Sequence, residues 1–408
     1  MIEQEFDVSF VARLAQREKQ IQQNYRPVIG VHKWFARRPG TLFRALLLSE
    51  FANQEPLSAR FFQSHDLGPR IVADPFMGGG TPLLEANRLG CQVVGADVNP
   101  MSYWIVRQEL AALDRRVFRD TAEQVMSKVE DRIGDLYRTT CLQCRSEEAQ
   151  VKYFLWVKQQ ICRSCHRPID LFPSFVIAKN QRHPRHVLVC PACGILNEAE
   201  RLNGLSIDMT CAACGTALLV KGPAQRNTCT CSHCGSVNEY PDELQGPPQH
   251  RLFALEYYCP ACKTSHRGRF FKAPDEQDLL RLREVDERLA QAEQSLADFI
   301  PSDPILPGDE TARLHRWGYE TYRQLFNGRQ LLGLASLVEQ IAMVEDEVIR
   351  HALLTVFSDT LRYQNMLCRY DSYALKVLDI FSIHGFPVSL VQCESSLLGI
   401  PEVGSGGY

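Results

Sequence analysis

The sequence predicts an α/β fold with an inserted cysteine-rich block and a helical C-terminal segment, and three observations support this prediction. A β-rich run that ends at Asp74 is followed by a glycine cluster, a helical pattern and a second apolar run that ends at Asp97. Six CxxC pairs occupy the middle of the chain. At Pro274 the composition changes to charged, helix-forming sequence. The chain is therefore predicted to consist of segments 1–138, 139–272 and 273–408.

The first segment has the pattern of a β-loop-α-β nucleotide-binding unit. A carboxylate stands at the tip of each strand, and Asp97 follows the glycines at about the spacing of a ribose-binding acid. The glycines Gly78, Gly79 and Gly80 allow the backbone to pass close to a ligand, because a Cβ there would collide with it. The sequence thus predicts that Asp97 accepts the ribose hydroxyls of an adenosine.

A dinucleotide is the competing cofactor for this loop. Its fingerprint, G-x-G-x-x-G, is absent, and residues 74–81 read DPFMGGGT. An acid at the strand tip attracts a cationic amine and repels pyrophosphate. S-adenosylmethionine carries an amine and a sulfonium, so the loop favours this cofactor over NAD. An ordinary tight βα turn is the alternative without a ligand.

The cysteine spacing predicts about three structural zinc ions. Twelve of the sixteen cysteines form CxxC pairs, and two such pairs can surround one tetrahedral zinc. The pairs are Cys141/Cys144, Cys162/Cys165, Cys190/Cys193, Cys211/Cys214, Cys231/Cys234 and Cys259/Cys262. Sequential pairing is the simplest assignment; crossed pairing, or a ligand from Cys229, His166 or His233, is also open. Cys91, Cys368 and Cys393 are predicted to be buried apolar residues.

Composition predicts a cytoplasmic protein without a membrane partner. The 408 residues contain no apolar run near the ~20 residues that a membrane span requires. The N-terminus lacks the features of a signal peptide. With a formal net charge of −3, any nucleic-acid contact must come from local basic patches. Two such patches, RHPRH at 182–186 and HRGR at 266–269, lie in the cysteine-rich block, although a solvated surface is an equal alternative.

Helical patterns cover much of the chain outside the cysteine-rich block. They span residues 7–23, 41–51, 82–89, 101–113, 116–137, 278–299, 319–344 and 347–361. Residues 278–299 approach heptad spacing and are predicted to form a solvated helical hairpin against the core, in preference to a dimeric coiled coil. Residues 302–309 are a predicted linker, and residues 386–393 a predicted strand.

Four sequence features together resemble one family. Residues 74–81 and 95–100 (GADVNP) resemble motifs I and II of amino-methylating DNA methyltransferases. Residues 32–39 (HKWFARRP), the CxxC pairs and residues 325–332 (LFNGRQLL) resemble a bacterial family of adenine-specific DNA methylases that contain zinc ribbons. The resemblance implies part of a Rossmann-like class I S-adenosylmethionine-dependent core and methylation of adenine N6 in DNA, in a restriction-modification or phage-defence system.

The resemblance also implies roles for particular residues. Asp74 and the glycines would seat the methionine moiety, Asp97 the ribose, and Asn99 and Phe76 the adenine. The implied cofactor-binding residues are His32, Lys33, Asp74, Pro75, Phe76, Gly78, Gly79, Gly80, Asp97 and Asn99. Segment 32–39 would close over the methionine end. Alternatively, Lys33, Arg37 and Arg38 contact phosphates while Trp34 stacks on a base, or the segment is a helix start with a solvated basic face.

The catalytic loop of such enzymes, Asp/Asn-Pro-Pro followed by an aromatic residue, does not occur in this sequence. In the family it lies beyond the point where this chain stops. The sequence therefore predicts no catalytic residue here. The loop is expected either on a second methyltransferase subunit or on a part of the protein that lies outside this sequence. A degenerate, non-catalytic methyltransferase fold that holds DNA or another subunit through zinc ribbons is the alternative function.

Overall fold

The computed structural model describes residues 2, 6–21, 27–52, 55–204, 207–242 and 245–404. The chain forms two compact units, one of residues 1–122 and 344–359 and the other of residues 123–343 and 360–408. Predicted segments 139–272 and 273–408 share the second unit, apart from residues 344–359. The end of the first predicted helix, at 22–23, and the tail at 405–408 lie outside the described residues.

The described helices follow the predicted pattern closely in the first third of the chain. They are α1 (Val8–Gln20), α2 (Gly40–Phe51), α3 (Leu57–Arg60), α4 (Thr81–Arg88), α5 (Pro100–Leu110), α6 (Arg115–Ile133), α7 (Glu276–Leu296), α8 (Ala312–Arg316), α9 (Gly328–Ala342) and α10 (Glu347–Thr360). None of these described helices is long and apolar enough to cross a bilayer.

The strands belong to four sheets. They are β1 (Ile71–Asp74), β2 (Gln92–Gly95), β3 (Arg138–Thr139), β4 (Ala149–Ile161), β5 (Pro168–Asp170), β6 (Val176–Ala178), β7 (His186–Val189), β8 (Leu196–Ala199), β9 (Thr228–Thr230), β10 (Val237–Glu239), β11 (Gln249–Tyr258), β12 (Arg269–Lys272), β13 (Arg369–Asp371), β14 (Lys376–Leu378) and β15 (Val391–Ser395). The described chain is thus mixed α/β, as predicted.

The first unit contains the predicted β-loop-α-β element. Strands β1 and β2 pair in parallel, with Asp74 opposite Gly95, and α4 connects them. Apolar residues of α2, α4 and the segment before β1, such as Leu48, Ala86 and Leu67, form a buried core. Alternate residues of both strands are exposed, so one face of this sheet is uncovered.

The second unit is organised around β4. This long strand pairs antiparallel with β11 on one side and β15 on the other, within an eight-stranded sheet of order β12-β11-β4-β15-β13-β14 in which β3 and β5 also pair with β4. The sheet therefore joins strands of the cysteine-rich block to strands near the C-terminus. Its buried residues, including Leu155, Phe253 and Cys393, form an apolar core, so the block does not depend on metal ligation alone.

Two predicted elements of the C-terminal segment begin later than expected. Helix α9 starts at Gly328 rather than near Tyr319, because the Asn327 side chain accepts from the Gln330 amide and caps it. Strand β15 starts at Val391 rather than Phe386, after Pro387, which has no amide to donate to a ladder. Helix α7 is one continuous helix, so residues 278–299 do not themselves form a hairpin; it buries Val285, Leu289 and Leu296 within the chain, as the predicted packing against the core requires.

Candidate functional site

The glycine loop lies between β1 and α4 in the first unit. Because β1 and β2 are parallel neighbours, their carboxyl ends meet at one edge of the sheet and bring the loops that carry Asp74 and Asp97 to that edge. Asp74 closes a local turn, in which its Oδ1 accepts from the Phe76 amide at 3.1 Å. The structure therefore places both predicted acids at the edge where an α/β sheet binds ligands.

The Asp97 side chain, which follows β2, binds the backbone of the glycine loop. Its Oδ2 accepts from the Gly78 amide at 2.9 Å, and its Oδ1 accepts from the Asn99 amide at 2.9 Å. These two backbone hydrogen bonds lower the pKa of Asp97. Ser102 of α5 donates to the Gly78 carbonyl at 2.5 Å. The carboxylate is thus charged, and part of its acceptor capacity already fixes the loop.

The two residues predicted to flank an adenine differ in their surroundings. Asn99 caps α5, because its Oδ1 accepts from the Met101 amide at 2.9 Å. Phe76 is 84% exposed, and its ring is therefore available to stack on a planar ligand. The neighbouring Pro75 is also exposed.

Trp34 and Arg37 lie directly over the glycines. A Cβ on Gly79 would stand 2.9 Å from Trp34 Cδ1 and 3.1 Å from Arg37 Cζ. A Cβ on Gly80, whose φ is +71°, would stand 2.5 Å from Val106 Cγ2 of α5. The glycines are therefore required by contacts within the protein. The sequence analysis had explained them by the close approach of a ligand.

Arg37 is an interior residue of the first unit. Its Nη2 lies 2.6 Å from Glu109 Oε1, and its Nη1 donates to the Gly79 carbonyl at 2.5 Å. Burial raises the pKa of Glu109 to about 7, while the Arg37 guanidinium acts in the opposite direction. The prediction that Arg37 contacts nucleic-acid phosphates does not fit this buried pair. Arg38 is exposed.

His32 and Lys33 are anchored to α10, which belongs to the same unit. The His32 ring nitrogen Nε2 lies 3.0 Å from Ser358 Oγ, and the Lys33 amide donates to Asp359 Oδ1 at 2.8 Å. His32 is buried. These contacts hold segment 32–39 close to the glycine loop, and the predicted cofactor roles of both residues stay predictions.

Sequence reasoning missed Ser102 and Glu109 as supports of the loop. Both lie on α5, separated by seven residues, with Val106 between them on the same face. This i, i+4, i+7 spacing directly after Asp97 is the signal that could have identified a helix face turned toward the glycines.

The second unit brings the twelve CxxC cysteines into three groups that could hold metal ions. In each group the four Sγ atoms lie within 4.8 Å of one another. The groups are Cys141/Cys144/Cys259/Cys262, Cys162/Cys165/Cys231/Cys234 and Cys190/Cys193/Cys211/Cys214. Cys229, His166 and His233 belong to none of them. Cys91, Cys368 and Cys393 are buried, as predicted, and Cys229 is buried as well.

The pairing is nested, so the sequential assignment is wrong for the outer groups and right for the innermost one. The physical reason is the antiparallel pairing of β4 with β11. Each CxxC pair forms one knuckle of a candidate metal site. The knuckle before β4, at 141–144, meets the knuckle after β11, at 259–262. The knuckle after β4, at 162–165, meets the knuckle between β9 and β10, at 231–234.

The geometry of the groups fits zinc. Four thiolates about 2.3 Å from zinc form a tetrahedron with Sγ–Sγ edges of about 3.8 Å. The Sγ–Sγ distances are 3.9 Å for Cys141–Cys262, 3.7 Å for Cys162–Cys234 and 3.6 Å for Cys190–Cys214. The Ser236 hydroxyl, 3.2 Å from Cys162 Sγ, contributes most to lowering the pKa of that thiol to about 5. The pKa of Cys165 in the same group is raised, because the Arg167 backbone hydrogen bond, which lowers it, is outweighed by burial and the neighbouring thiols, so Cys162 ionises first. A thiolate is the form that binds the metal.

Residues 325–332, which carry part of the family resemblance, have a structural role in the second unit. Arg329 Nε donates to Glu394 Oε1 at 2.7 Å, and the Arg329 guanidinium lies 3.5 Å from the centre of the Phe154 ring. Asn327 donates to Glu394 Oε2 at 2.8 Å.

Comparisons with protein-family models, curated proteins and solved structures find no match to this chain. The family resemblance therefore stays a prediction.

Proposed function

We propose that this chain is the S-adenosylmethionine-binding part of a DNA adenine-N6 methyltransferase of a restriction-modification or phage-defence system. The observation that carries the proposal is the position of Asp97, at the tip of β2 and 2.9 Å from the Gly78 amide of the loop after β1. A charged acceptor beside a glycine loop at the carboxyl edge of a parallel sheet suits an adenosine ribose next to a cationic amino-acid moiety.

Each residue of the loop has a definite task in this proposal. Asp97 accepts the ribose hydroxyls with the lone pairs that the loop amides leave free. Asp74 attracts the amine of the methionine moiety, and the exposed Phe76 ring packs on the adenine. When bound, the cofactor supplies the methyl group. The chain positions it, and the Asp/Asn-Pro-Pro loop that receives the target amine is supplied by a partner half outside this sequence.

The uncovered face of the β1–β2 sheet supports the proposal that a partner half packs there. Parallel sheets are normally covered on both faces and contain more than two strands. Here β1 and β2 pair with each other and with no other described strand, and Ile71 and Val94 on the open face are 65% and 58% exposed. A partner that adds strands and helices to this sheet would bury that apolar face and carry the catalytic loop.

A scaffold role is the second candidate function, and one contact favours it. Trp34 and Arg37 occupy the space against Gly79 where a ligand would approach the backbone. In a non-catalytic descendant of a methyltransferase, such a filled loop would persist without a cofactor. The zinc groups would then serve to hold DNA or another subunit.

Calorimetric titration of the zinc-loaded chain with S-adenosylmethionine tests the proposal, with NAD as the control ligand. Binding of S-adenosylmethionine alone supports it. Asp97→Ala is expected to weaken binding about ten- to a hundredfold, because one charged hydrogen bond contributes about 1.5–3 kcal/mol. Asp120→Ala, which removes an exposed acid of the same unit, controls for charge. If S-adenosylmethionine fails to bind to the intact chain with or without a partner half, the scaffold role replaces the proposal.

A further inference from the structure

Two basic sequence segments that are about eighty residues apart converge on one cavity of the second unit. Residues 181–184 line one part of it, and His266, Arg267 and Arg269 line another. Phe271 and Leu375 add apolar surface. The cavity volume is about 480 Å³, which is in the range of small-molecule sites. The folding of the cysteine-rich block therefore joins two patches that look unrelated in sequence.

The charge balance of this cavity is positive. Arg182 and Arg267 are exposed at its rim, and no ion pair engages either one in the part of the chain that the structure describes. The one acid in the lining, Glu256, is fully buried and pairs with Arg269. Glu256 also accepts from the Tyr370 hydroxyl at 2.9 Å. Because Arg269 pairs with Glu256, the guanidinium groups of Arg182 and Arg267 stay available to an anion.

His183 lines the same cavity and has a buried ring nitrogen without a hydrogen-bond partner in the described structure. It is 5% exposed, and its Nδ1 lies 2.8 Å from the Arg185 carbonyl and 3.4 Å from the Arg185 amide nitrogen. The shorter contact to the carbonyl assigns the proton to Nδ1, because a carbonyl can only accept. Burial lowers the pKa of His183, which keeps the ring neutral. Its Nε2 is then an acceptor, and this buried atom has no hydrogen-bond partner in the described structure. A ligand with an N–H or O–H group would satisfy it.

The backbone holds these groups in an unusual conformation. His266 and Arg267 have φ values of +50° and +54°, in the left-handed region that side chains rarely adopt. The next residue, Gly268, packs so closely that a Cβ there would stand 2.8 Å from the Cys259 carbonyl. The His266 ring stacks on His183, with centroids 5.3 Å apart and planes 25° apart. Strain of this kind is concentrated at functional sites.

We propose that this cavity binds a nucleotide through its phosphate. Arg182 and Arg267 contact the phosphate oxygens, and His183 Nε2 accepts from a sugar hydroxyl or a base N–H group. Arginine is well suited to phosphate because its planar fork can donate two parallel hydrogen bonds. The nucleotide is either free or part of a nucleic-acid strand. This site lies within the second unit and does not depend on the proposed cofactor loop.

The test uses ligands without adenine, so that they report on this cavity alone. Binding of thymidine monophosphate, a short fluorescent oligothymidylate and inorganic phosphate is measured on the full zinc-loaded chain. The variant Arg182→Gln/Arg267→Gln is compared with Arg201→Gln/Arg226→Gln, which removes two exposed arginines of the same unit. Zinc content and melting temperature establish that both variants fold.

The expected result is a loss of nucleotide affinity of about tenfold or more in the cavity variant and less than about twofold in the control. Binding of the monophosphate identifies a free-nucleotide site, and binding of the oligothymidylate alone identifies a nucleic-acid site. Equal losses in both variants would reduce the effect to general charge attraction and overturn the proposal. Binding of inorganic phosphate without binding of either nucleotide would also overturn it, and so would the failure of all three ligands to bind.

Discussion

Arg37 and Glu109 form an ion pair with side chains only 4% and 0% exposed, and the same guanidinium donates to the carbonyl of Gly79. Two charges that would be costly to bury separately are therefore joined at the glycine loop. The pair connects segment 32–39, the loop and α5 within the first unit. The position of the loop consequently depends on this interior pair as well as on Asp97.

Arg37→Met is expected to lower the free energy of unfolding by about 3–5 kcal/mol, because it leaves the buried Glu109 carboxylate without a partner. Arg37→Met/Glu109→Met should recover part of the loss. The pKa of Glu109 is already raised by burial to about 7 and rises further without Arg37. A raised carboxyl pKa favours the folded state at low pH, so the loss should be smaller at pH 5 than at pH 8. Urea titrations at both values measure it, and equal losses would contradict the explanation.

Gly79→Ala should destabilise the first unit by about 1–3 kcal/mol, because the new Cβ collides with Trp34 and Arg37. Trp34→Leu in the same chain should relieve part of the collision, so the two effects should not add. Gly30→Ala is the control, since nothing lies within 4 Å of a Cβ at that position. Chemical unfolding of the wild-type protein, Gly79→Ala, Trp34→Leu and the double variant measures the coupling. Simple additivity would show that Trp34 does not cover the loop.

The nested arrangement of the cysteine groups predicts which double variants lose one zinc and which lose two. Cys144→Ser/Cys262→Ser removes ligands from one group and should lower the zinc content by one ion per chain. Cys144→Ser/Cys165→Ser affects two groups and should lower it by two. Sequential pairing predicts the reverse for these two variants. Metal analysis of the purified proteins decides between them, and Cys193→Ser/Cys214→Ser should lose one ion under either arrangement.

The sequence predicted the local elements well because their signals are local. The strand, glycine loop, helix and second strand follow from the spacing of residues 71–97, and the twelve ligand cysteines follow from their CxxC pairs. The pairing of the knuckles depends on β4 meeting β11, which are about a hundred residues apart, and no local spacing encodes that contact.

Arg37 illustrates a second limit of sequence reasoning. In the run HKWFARRP it is one of three neighbouring cations, and a cluster of cations indicates a phosphate contact or a solvated face. Its actual partner, Glu109, lies on a helix seventy-two residues later. The same argument applies to the cavity of the second unit, since only the fold brings residues 182 and 267 to one place.

Lys158 is buried in the second unit, and no carboxylate pairs with it among the residues that the structure describes. Its Nζ lies 2.9 Å from His250 Nε2 and 3.1 Å from the Tyr319 hydroxyl, and 5.7 Å from the centre of the Trp317 ring. Burial lowers the pKa of Lys158 to about 7, from 10.5 in an exposed lysine. Between these two pH values the unfolded chain binds the proton that the folded chain has released. The stability of the protein should therefore rise with pH across this window.

Lys158→Met removes that proton linkage while keeping the length of the side chain. Relative to the variant, the wild-type protein should gain up to about 1.4 kcal/mol of unfolding free energy per pH unit between pH 7.5 and 9.5. The difference between the two proteins should be constant below about pH 6, where Lys158 is protonated in both states. Urea midpoints at a series of pH values measure this, and Lys128→Met on an exposed helix face controls for the loss of a lysine. A difference that does not change with pH would show that Lys158 stays charged inside the fold, in which case water or a rearranged acceptor must solvate it.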